Sequence, residues 1–246
     1  MKRIISLVPS LTETVAILAD PKELIGITGF CTHPRRVMKH ATVIGGTKDP
    51  DLELISRLNP THVLANLEEN STDTLKWLSD RYPILITTPS AVAHVAKMLD
   101  DMTNFLDDEA FAKAGSEIDM MIKDLNKPDK LKEAYYFIWK NPWMIAGEDT
   151  YIKDVMGFLG FDLIQPVAGR YPEVSFEFLS HSIPKFFATE PWCFRKRDIE
   201  ILPAEFKKPE LCYRIDGKFI SWYGISTLEL LRKIKSEQIF GIYRHF

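Results

Sequence analysis

The sequence predicts an α/β fold: two Rossmann-like, doubly wound lobes that are joined by a long connecting helix, with a ligand cleft between the lobes. Short apolar runs that alternate with helical periodicity predict mostly parallel sheets. A stretch of the first half that recurs in the second half predicts two similar lobes. We therefore assign 1–106 to an N-terminal lobe, 107–127 to the connecting helix and 128–246 to a C-terminal lobe.

Apolar runs predict the strands of both lobes. In the N-terminal lobe these runs are 3–8, 24–28, 62–65 and 84–87. In the C-terminal lobe they are 135–139, 185–188, 211–215 and 218–221. Helices are predicted to start after Pro9 and Pro50, because proline is favoured at the beginning of a helix.

Polar residues and prolines mark the ends of two further helices. Asp107 and Asp108 stand at the start of the predicted connecting helix, and Pro128 lies just past its end. Its apolar side chains at helical spacing are Phe111, Ala114, Ile118, Met121, Ile122 and Leu125. Asp149 or Thr150 is the expected N-cap of a later helix.

The first strand of the C-terminal lobe passes into an aromatic turn. Pro142 must end this strand because it has no N–H to donate to a neighbouring strand. Trp143 and Met144 therefore lie at the carboxyl end of the strand, where open α/β sheets bind ligands. Trp139, inside the strand, is expected in the core.

An internal repeat singles out two glutamates. Glu53 and Pro60 correspond to Glu177 and Pro184 at one offset of 124 residues, and an apolar strand follows each proline. Each glutamate is predicted in the first turn of a helix, where the helix dipole favours a carboxylate. Because helix starts lie at the carboxyl edge of a sheet, both glutamates are expected on the rim of the cleft.

Composition and motifs exclude several classes of protein. The chain has 31 Lys+Arg against 34 Asp+Glu, so it lacks the basic surface of a nucleic-acid-binding protein. Its 3 cysteines are far apart and are expected to be thiols or partly buried small apolar residues. The common hydrolase, nucleotide-binding and zinc-protease motifs are absent, so we expect neither an enzyme nor catalytic residues.

Cys31 and His33 are candidate metal ligands, but a structural zinc site needs four ligands. We therefore expect no metal site and no resident cofactor. A metal bound by this pair would instead favour an enzyme that uses a metal or cofactor in the cleft.

Aromatic residues cluster at the predicted ends of strands. They lie beside proline or glycine, where a side chain is more exposed than inside a strand. Aromatic side chains that converge from several loops form a broad apolar wall for a flat or bulky ligand. The expected ligand contacts of this kind are Phe30, Trp143, Tyr171, Trp192, Trp222 and Tyr223.

Several motifs together resemble one family. The segments RIISLVPSLTET, GFCTHP, GGTKDPDLELISRLNPTHVLAN, WKNPWMIAGEDTYI, RYPEVSFEFL, TEPWCF and SWYGIS occur in order along nearly the whole chain. They are similar to the helical-backbone class (class III) of ABC-transporter solute-binding proteins, and within it to the vitamin B12-binding branch. Where that branch carries aromatic residues, Asn66 and Met144 stand in this chain, and both are expected to contact the ligand.

The resemblance implies a function. We expect a monomeric protein that holds a corrinoid such as cobalamin and docks on an ABC-transporter permease through Glu53 and Glu177. Haem or an iron-siderophore chelate is the alternative ligand. The resemblance implies a periplasmic or cell-surface location.

The start of the chain bears on this location. Pro9 interrupts the first apolar run before it reaches signal-peptide length, so a native N-terminus would imply a cytoplasmic protein. Such a protein would store or sense a corrinoid or metal chelate.

Overall fold

The computed structural model describes residues 1–189, 194–238 and 242–245. The chain divides into two compact units, each built around its own β-sheet. Unit 1 consists of Met1–Pro89, Ala93–Asp119 and Tyr223–Leu228, and unit 2 consists of Ser90–Val92, Met120–Trp222 and Glu229–Phe246. Neither unit is therefore one continuous segment. No helix in the described part of the chain is long and apolar enough to cross a membrane.

Unit 1 contains a five-stranded parallel sheet. Its strands are β1 (Ile4–Ser6), β2 (Leu24–Ile27), β3 (Thr42–Val43), β4 (His62–Asn66) and β5 (Ile84–Thr87). They lie in the order β3-β2-β1-β4-β5, and every neighbouring pair is parallel. The chain builds outward from β1 to β3 and then places β4 on the other side of β1. This reversal is the topological switch point of the sheet.

The central strands of unit 1, β1 and β4, are mostly apolar because both faces of the sheet are covered there. Ile4 and Ile5 have no exposed surface, and neither do Val63 and Leu64. Consecutive side chains of a strand point to opposite faces, so burial of both members of a pair requires packing on both sides.

Helices α1 (Pro9–Leu18), α2 (Leu52–Leu58), α3 (Thr72–Ser79) and α4 (Val92–Leu106) each follow a strand of unit 1, and α5 (Glu109–Asp124) follows α4. Asp51 caps α2 by accepting the Leu54 N–H at 2.8 Å. Helix α1 differs, because its N-cap residue is Val8, which has no side-chain oxygen.

Helix α5 occupies most of the range assigned to the connecting helix. Asp107, with φ 47°, separates α5 from α4. Asp108 Oδ1 accepts the Ala110 N–H at 3.0 Å in the first turn of α5. The boundary between the two units falls inside α5, between Asp119 and Met120. The role of this helix as a connection between lobes stays a prediction.

Unit 2 contains a six-stranded mixed sheet. Its strands are β6 (Lys132–Trp139), β7 (Met144–Ile145), β8 (Phe161–Leu163), β9 (Lys185–Ala188), β10 (Cys212–Ile215) and β11 (Tyr243–His245). The order is β11-β10-β9-β6-β7, and β8 pairs with the first part of β6. Strands β6, β8, β9 and β10 are parallel, whereas β7 and β11 run antiparallel to their neighbours. The predicted α/β class with two doubly wound sheets is confirmed.

An aromatic core holds unit 2 together. The rings of Phe137 and Phe187 stack with centroids 4.8 Å apart, and Phe194 meets Phe187 edge-on at 5.3 Å. Helix α6 (Tyr151–Phe158) follows β7. Of its two expected caps, Thr150 is the N-cap, since its side chain accepts the Lys153 N–H at 3.1 Å.

The strand expected at 218–221 is wrong, because these residues lie in helix α7 (Gly217–Ser221). Asp216 caps α7 by accepting the Lys218 N–H at 3.1 Å. The periodicity of an apolar run this short does not distinguish a helix from a strand. The capping residue Asp216 therefore determines that a helix forms.

Two further expectations need correction. Glu177 lies in a three-residue 3-10 turn, Phe176–Phe178, rather than in an α-helix, so the argument from a helix dipole does not apply to it. Trp139 is 49% exposed and not in the core. The register of the pairing between β6 and β7 shifts between Phe137 and Trp139, and Trp139 is the last residue of β6 rather than an interior one.

The segment Tyr223–Leu228 joins unit 1 although its sequence neighbours belong to unit 2. Helix α8 (Ile225–Lys235) begins in this segment. Ser226 Oγ donates to Glu13 Oε2 at 2.5 Å, and the Ile225 N–H donates to Thr14 Oγ1 at 3.2 Å. These bonds give a buried carboxyl group and a buried hydroxyl of α1 their partners.

Gly224→Ala should reduce the free energy of unfolding by about 2 to 4 kcal/mol. Gly224 has φ +93°, and a Cβ at this position would overlap Thr14 Oγ1. Urea unfolding measures the change. Gly29→Ala is the matched control, because its added Cβ would meet Gly45 O and Val43 Cγ1 at 3.8 Å, an ordinary contact. Equal stability of the two variants would contradict the close approach at Gly224.

Candidate functional site

The loops that follow β1 and β4 meet at the switch point of unit 1. The Leu7 N–H donates to Leu64 O at 2.9 Å and extends the pairing of these two strands. β1 then leads into the N-terminus of α1, and β4 leads into the turn 67–70. Because the strands are parallel neighbours, the helix start and the turn lie at the same edge of the sheet.

Asn66 holds this turn in place. Its Oδ1 accepts the N–H groups of Glu68 at 2.8 Å and Glu69 at 3.1 Å, and its Nδ2 donates to Thr87 O at 2.9 Å. Asn70 Oδ1 accepts the Asn66 N–H at 2.8 Å. Asn66 is buried, and its amide oxygen and nitrogen are both engaged inside unit 1. It therefore positions its neighbours, while a direct ligand contact stays a prediction.

Glu69 is a functional candidate that the sequence reasoning missed. Burial raises the pKa of its carboxyl to about 7, although the charge of Lys48 opposes this and Glu68 adds to it. The residue as a whole keeps some exposed surface, while protein atoms crowd the carboxyl itself. A carboxyl group that is about half ionised near neutral pH thus lies at the switch point. Its position just after an apolar strand is the signal that could have identified it.

Tyr223 closes the same edge from the C-terminal segment of unit 1. Its hydroxyl lies 3.4 Å from Thr87 Oγ1 at the end of β5. Burial, aided by the charge of Glu69, raises the pKa of the phenol well above its ordinary value, and the hydroxyls of Thr87 and Ser10 oppose the shift. Tyr223 is therefore a neutral phenol at physiological pH.

Phe30 and Cys31 follow β2 at this edge and differ in exposure. The Phe30 side chain is 39% exposed, whereas Cys31 is buried. Cys31 Sγ lies 3.0 Å from Thr12 Oγ1 and 3.3 Å from Thr28 Oγ1. Burial raises the pKa of this thiol, and the two hydroxyls oppose the shift only in part. Among the described residues, no group of three or more His, Cys, Asp or Glu side chains is arranged to hold a metal.

In unit 2, Trp143 lies in the loop after β6 and packs in an aromatic cluster. Its ring meets Phe176 edge-on at 5.0 Å and stacks on Phe194 at 5.8 Å. The residue is half-buried. The indole therefore packs in the core of unit 2, and the residue keeps part of its surface exposed.

Met144 and Tyr171 lie on two neighbouring segments of unit 2. The Val174 N–H donates to Trp143 O at 2.9 Å, and Met144 forms an antiparallel bridge with Glu173. Met144 and Tyr171 are both half-buried. The fold thus brings Trp143, Met144 and Tyr171 to adjacent segments beside the carboxyl end of β6.

The remaining aromatic candidates are placed differently. Trp222 ends helix α7 and is only 7% exposed, so most of its ring is already packed. Its neighbour Tyr223 belongs to unit 1, whereas Trp222 belongs to unit 2. Trp192 lies outside the described residues.

The two glutamates of the internal repeat are surface carboxylates. The Glu53 side chain is 91% exposed and lies 3.8 Å from Arg57, one turn along α2. Glu177 is also exposed, and its Oε1 accepts the Ser175 hydroxyl at 3.1 Å. Exposed pairs of this kind contribute about 0 to 1 kcal/mol, so both carboxylates can exchange their present partners for others.

Glu69→Gln should remove a pH dependence of stability. The folded protein holds the Glu69 proton up to about pH 7, whereas the unfolded chain releases it near the ordinary glutamate pKa. The contribution of this proton to the free energy of unfolding is complete at low pH and is lost as pH rises from about 5 to 7. Between pH 5 and pH 8, the free energy of unfolding of the wild type should fall by on the order of 2 kcal/mol more than that of the variant.

Urea unfolding at the two pH values measures this difference. Asp73→Asn is the control, because Asp73 is an exposed carboxylate of α3 in the same unit. An identical pH profile for Glu69→Gln and the wild type would show that the Glu69 carboxyl is well solvated.

Comparison with solved structures gives relatives of the same fold. The periplasmic vitamin B12 binding protein BtuF of Vibrio cholerae is 15% identical, with a TM-score of 0.78 and coverage of 96% of this chain and 95% of that chain. The periplasmic heme-binding protein RhuT from Roseiflexus sp. RS-1 is 16% identical, with a TM-score of 0.79 and coverage of 96% and 97%. The heme-binding protein HutB of Vibrio cholerae is 18% identical, with a TM-score of 0.75 and coverage of 96% and 98%. Identities this low establish the shared fold alone.

Sequence comparison defines the family. A search of curated proteins found no match. Residues 4–200, which are most of the chain, match the family described as periplasmic binding protein. The resemblance to class III solute-binding proteins is thereby confirmed, and the chain belongs to the periplasmic binding protein family.

Proposed function

We propose that this protein captures a tetrapyrrole-type ligand, first of all a corrinoid such as cobalamin, and delivers it to an ABC importer. Membership of a family of solute-binding transport proteins supports the binding role. The observation that carries the ligand class is the chemical contrast between two sheet edges. Unit 2 presents half-buried aromatic and thioether groups, and unit 1 presents hydroxyl and carboxyl groups beside an exposed phenylalanine.

The apolar groups suit the face of a large ring. Trp143, Met144 and Tyr171 lie on neighbouring segments and keep part of their surface open. Aromatic side chains provide a large contact area and lose little conformational entropy when they bind. Thioethers adapt to irregular surfaces.

The polar groups suit the periphery of such a ring. The Tyr223 phenol and the Glu69 carboxyl lie at the switch point of unit 1, where α/β sheets bind ligands. Corrinoids carry peripheral amides and haem carries propionates, and both are hydrogen-bonding groups. Haem is therefore the second candidate, and solved relatives that bind heme support it as well as the vitamin B12-binding relative supports a corrinoid. An iron-siderophore chelate is the third.

Delivery requires a partner and a location. We assign docking on the permease to Glu53 and Glu177, one exposed carboxylate from each unit. The proposed location is the outer side of the cytoplasmic membrane, as for the periplasmic proteins of this fold. In this role the protein binds and releases its ligand without catalysis, and it uses no resident cofactor.

Titration with cobalamin, cobinamide and haem tests the ligand class directly. Absorbance reports the environment of each ring, and calorimetry gives the stoichiometry. We expect one molecule of at least one of these ligands to bind per chain. Failure of all three to bind would remove the tetrapyrrole proposal.

Phe30→Ala and Tyr171→Ala should each weaken ligand binding by about 1 to 3 kcal/mol with little loss of stability. Both side chains keep accessible surface at a sheet edge, so truncation removes contact area with a ligand rather than core packing. Phe178→Ala is the control, since Phe178 is a 65% exposed aromatic outside the proposed site. Unfolding without a change in affinity would assign Phe30 and Tyr171 to structural roles.

Reversal of both docking carboxylates, Glu53→Arg with Glu177→Arg, should abolish association with the cognate permease and leave ligand affinity unchanged. The loss should be largest at low ionic strength, because exposed charges act through steering and register. Co-purification with the permease in lipid nanodiscs measures association. The control reverses one other exposed carboxylate in each unit, Asp73→Arg with Glu133→Arg. Full association of the Glu53/Glu177 variant would end the docking assignment.

A further inference from the structure

Phe178 places a large apolar side chain on the surface of unit 2. The residue is 65% exposed, and no other phenylalanine or tryptophan in the described part of the chain is as exposed. Single exposed apolar residues are common on protein surfaces, so exposure alone does not assign a role to this ring. The rigidity of its backbone and the identity of its neighbour, Glu177, distinguish Phe178 from the other exposed apolar residues.

Core contacts hold the backbone on both sides of Phe178. Phe176 packs against the aromatic core of unit 2 and meets Trp143 edge-on at 5.0 Å, and Leu179 belongs to that core. The Phe178 N–H donates to Ser175 O at 3.1 Å, and the Leu179 N–H donates to Phe176 O at 3.1 Å. The ring therefore projects from an ordered turn, and little backbone entropy would be lost when a partner binds it.

The internal repeat shows that unit 1 has no equivalent of this ring at the matching position. Phe178 corresponds to Leu54 at the offset that relates Glu177 to Glu53. Leu54 lies in helix α2 and is half-buried. Glu177 and Phe178 instead lie side by side in a 3-10 turn, and both are exposed. Each unit thus presents a carboxylate, and the carboxylate of unit 2 also has an exposed aromatic neighbour.

A carboxylate beside an aromatic ring suits an arginine of a partner. The planar guanidinium group can form two hydrogen bonds with a carboxylate and can stack on an aromatic face. An ammonium group forms an ion pair as a point charge and is less suited to stacking. Apolar surface around the arginine would cover the rest of the ring, and buried aromatic residues contribute much of the affinity of many interfaces.

We propose that Phe178 is the apolar anchor of docking on the permease, where Glu177 and Phe178 together bind an arginine that lies beside an apolar pocket. The inference rests on the proposed docking function of Glu53 and Glu177, and it adds that their two contacts are unequal. Glu53 lies 3.8 Å from Arg57 of its own helix, which competes with a partner for the carboxylate. An exposed ion pair adds little affinity, so the contact in unit 2 supplies most of the binding free energy.

Ionic strength separates the two kinds of contact. Dissolved salt screens exposed ion pairs, but it does not weaken the burial of an apolar ring. Association of the wild type with the permease should therefore weaken between about 0.05 M and about 1 M sodium chloride and remain measurable at the higher concentration.

Phe178→Ala tests the anchor. Titration of the labelled protein with the cognate permease in lipid nanodiscs gives the Kd at both salt concentrations. The variant should have a Kd about ten- to a hundredfold higher than the wild type at both concentrations. Its affinity for cobalamin, cobinamide and haem and its free energy of unfolding should match those of the wild type. Ile201→Ala is the control, because Ile201 is a 56% exposed apolar residue of the same unit, and it should keep the wild-type Kd.

Two further comparisons test the arginine and the inequality of the contacts. Phe178→Leu keeps an apolar side chain but has no aromatic face, so its Kd should lie between those of the wild type and Phe178→Ala. A wild-type Kd for Phe178→Leu would overturn the stacked arginine. Glu177→Gln should raise the Kd more than Glu53→Gln does, and equal effects would overturn the inequality.

The outcomes distinguish the anchor from the docking assignment itself. If reversal of Glu53 and Glu177 abolishes association but Phe178→Ala binds like the wild type, the anchor is wrong and the proposed docking stands. Loss of ligand affinity or of folding stability in Phe178→Ala would also overturn the anchor, because the ring would then serve the ligand site or the fold. Full association of both the charge-reversed variant and Phe178→Ala would reject the docking assignment together with the anchor.

Discussion

The parallel pairing of β1 with β4 is the constraint on which the candidate site of unit 1 depends. Ile4, Ile5 and Ser6 pair in register with His62, Val63 and Leu64. Strand β4 continues two residues beyond this pairing, to Asn66, and the start of α1 and the turn 67–70 emerge at the same edge of the sheet. In unit 2 the parallel pairing of β6 with β9 has the same effect. It brings Trp143, from the loop after β6, against Phe194, which follows β9.

Both sheet edges are ordered by contacts within their own unit. At the edge of unit 1, side-chain amides bind backbone groups, so the turn that carries Glu69 is ordered before any ligand arrives. At the edge of unit 2, interlocked rings limit the motion of Trp143. Both arrangements reduce the conformational entropy that the protein would lose on binding a ligand. Preorganisation of this kind favours affinity without additional contacts.

Many of the strands and helices could be predicted because they depend on local sequence patterns. The runs 62–65 and 84–87 are mostly apolar and match β4 and β5 closely. In β4 the residues from Val63 to Asn66 are all buried, as expected for a strand covered on both faces. The prediction failed at α7, where the Asp216 cap decides the conformation, and at Trp139, which lies beside a register shift at the end of β6.

The surroundings of the candidate site residues depend on residues that are far apart in sequence. Local sequence patterns therefore could not predict them. Burial raises the pKa values of Cys31 and Tyr223 and the charge of Glu69 adds to both shifts, although no periodicity connects these residues to Glu69. The resemblance predicts Asn66 as a ligand contact, and loop position predicts Trp222. Both residues are buried, and local sequence patterns do not predict their burial. Trp143 was located correctly after its strand, although the aromatic cluster that half buries it depends on Phe176 and Phe194 from later in the chain.

The return of Tyr223–Leu228 to unit 1 has a consequence for synthesis on the ribosome. Glu13 is made early, but its partner Ser226 emerges only after nearly all of unit 2 has been translated. Domains usually fold as units, N-terminal first, as the chain emerges. Unit 1 cannot fold completely in this order. Its carboxyl edge still lacks Tyr223, and helix α1 still lacks Ser226, which donates to the buried Glu13. The nascent chain therefore lacks part of its N-terminal unit until translation is almost over.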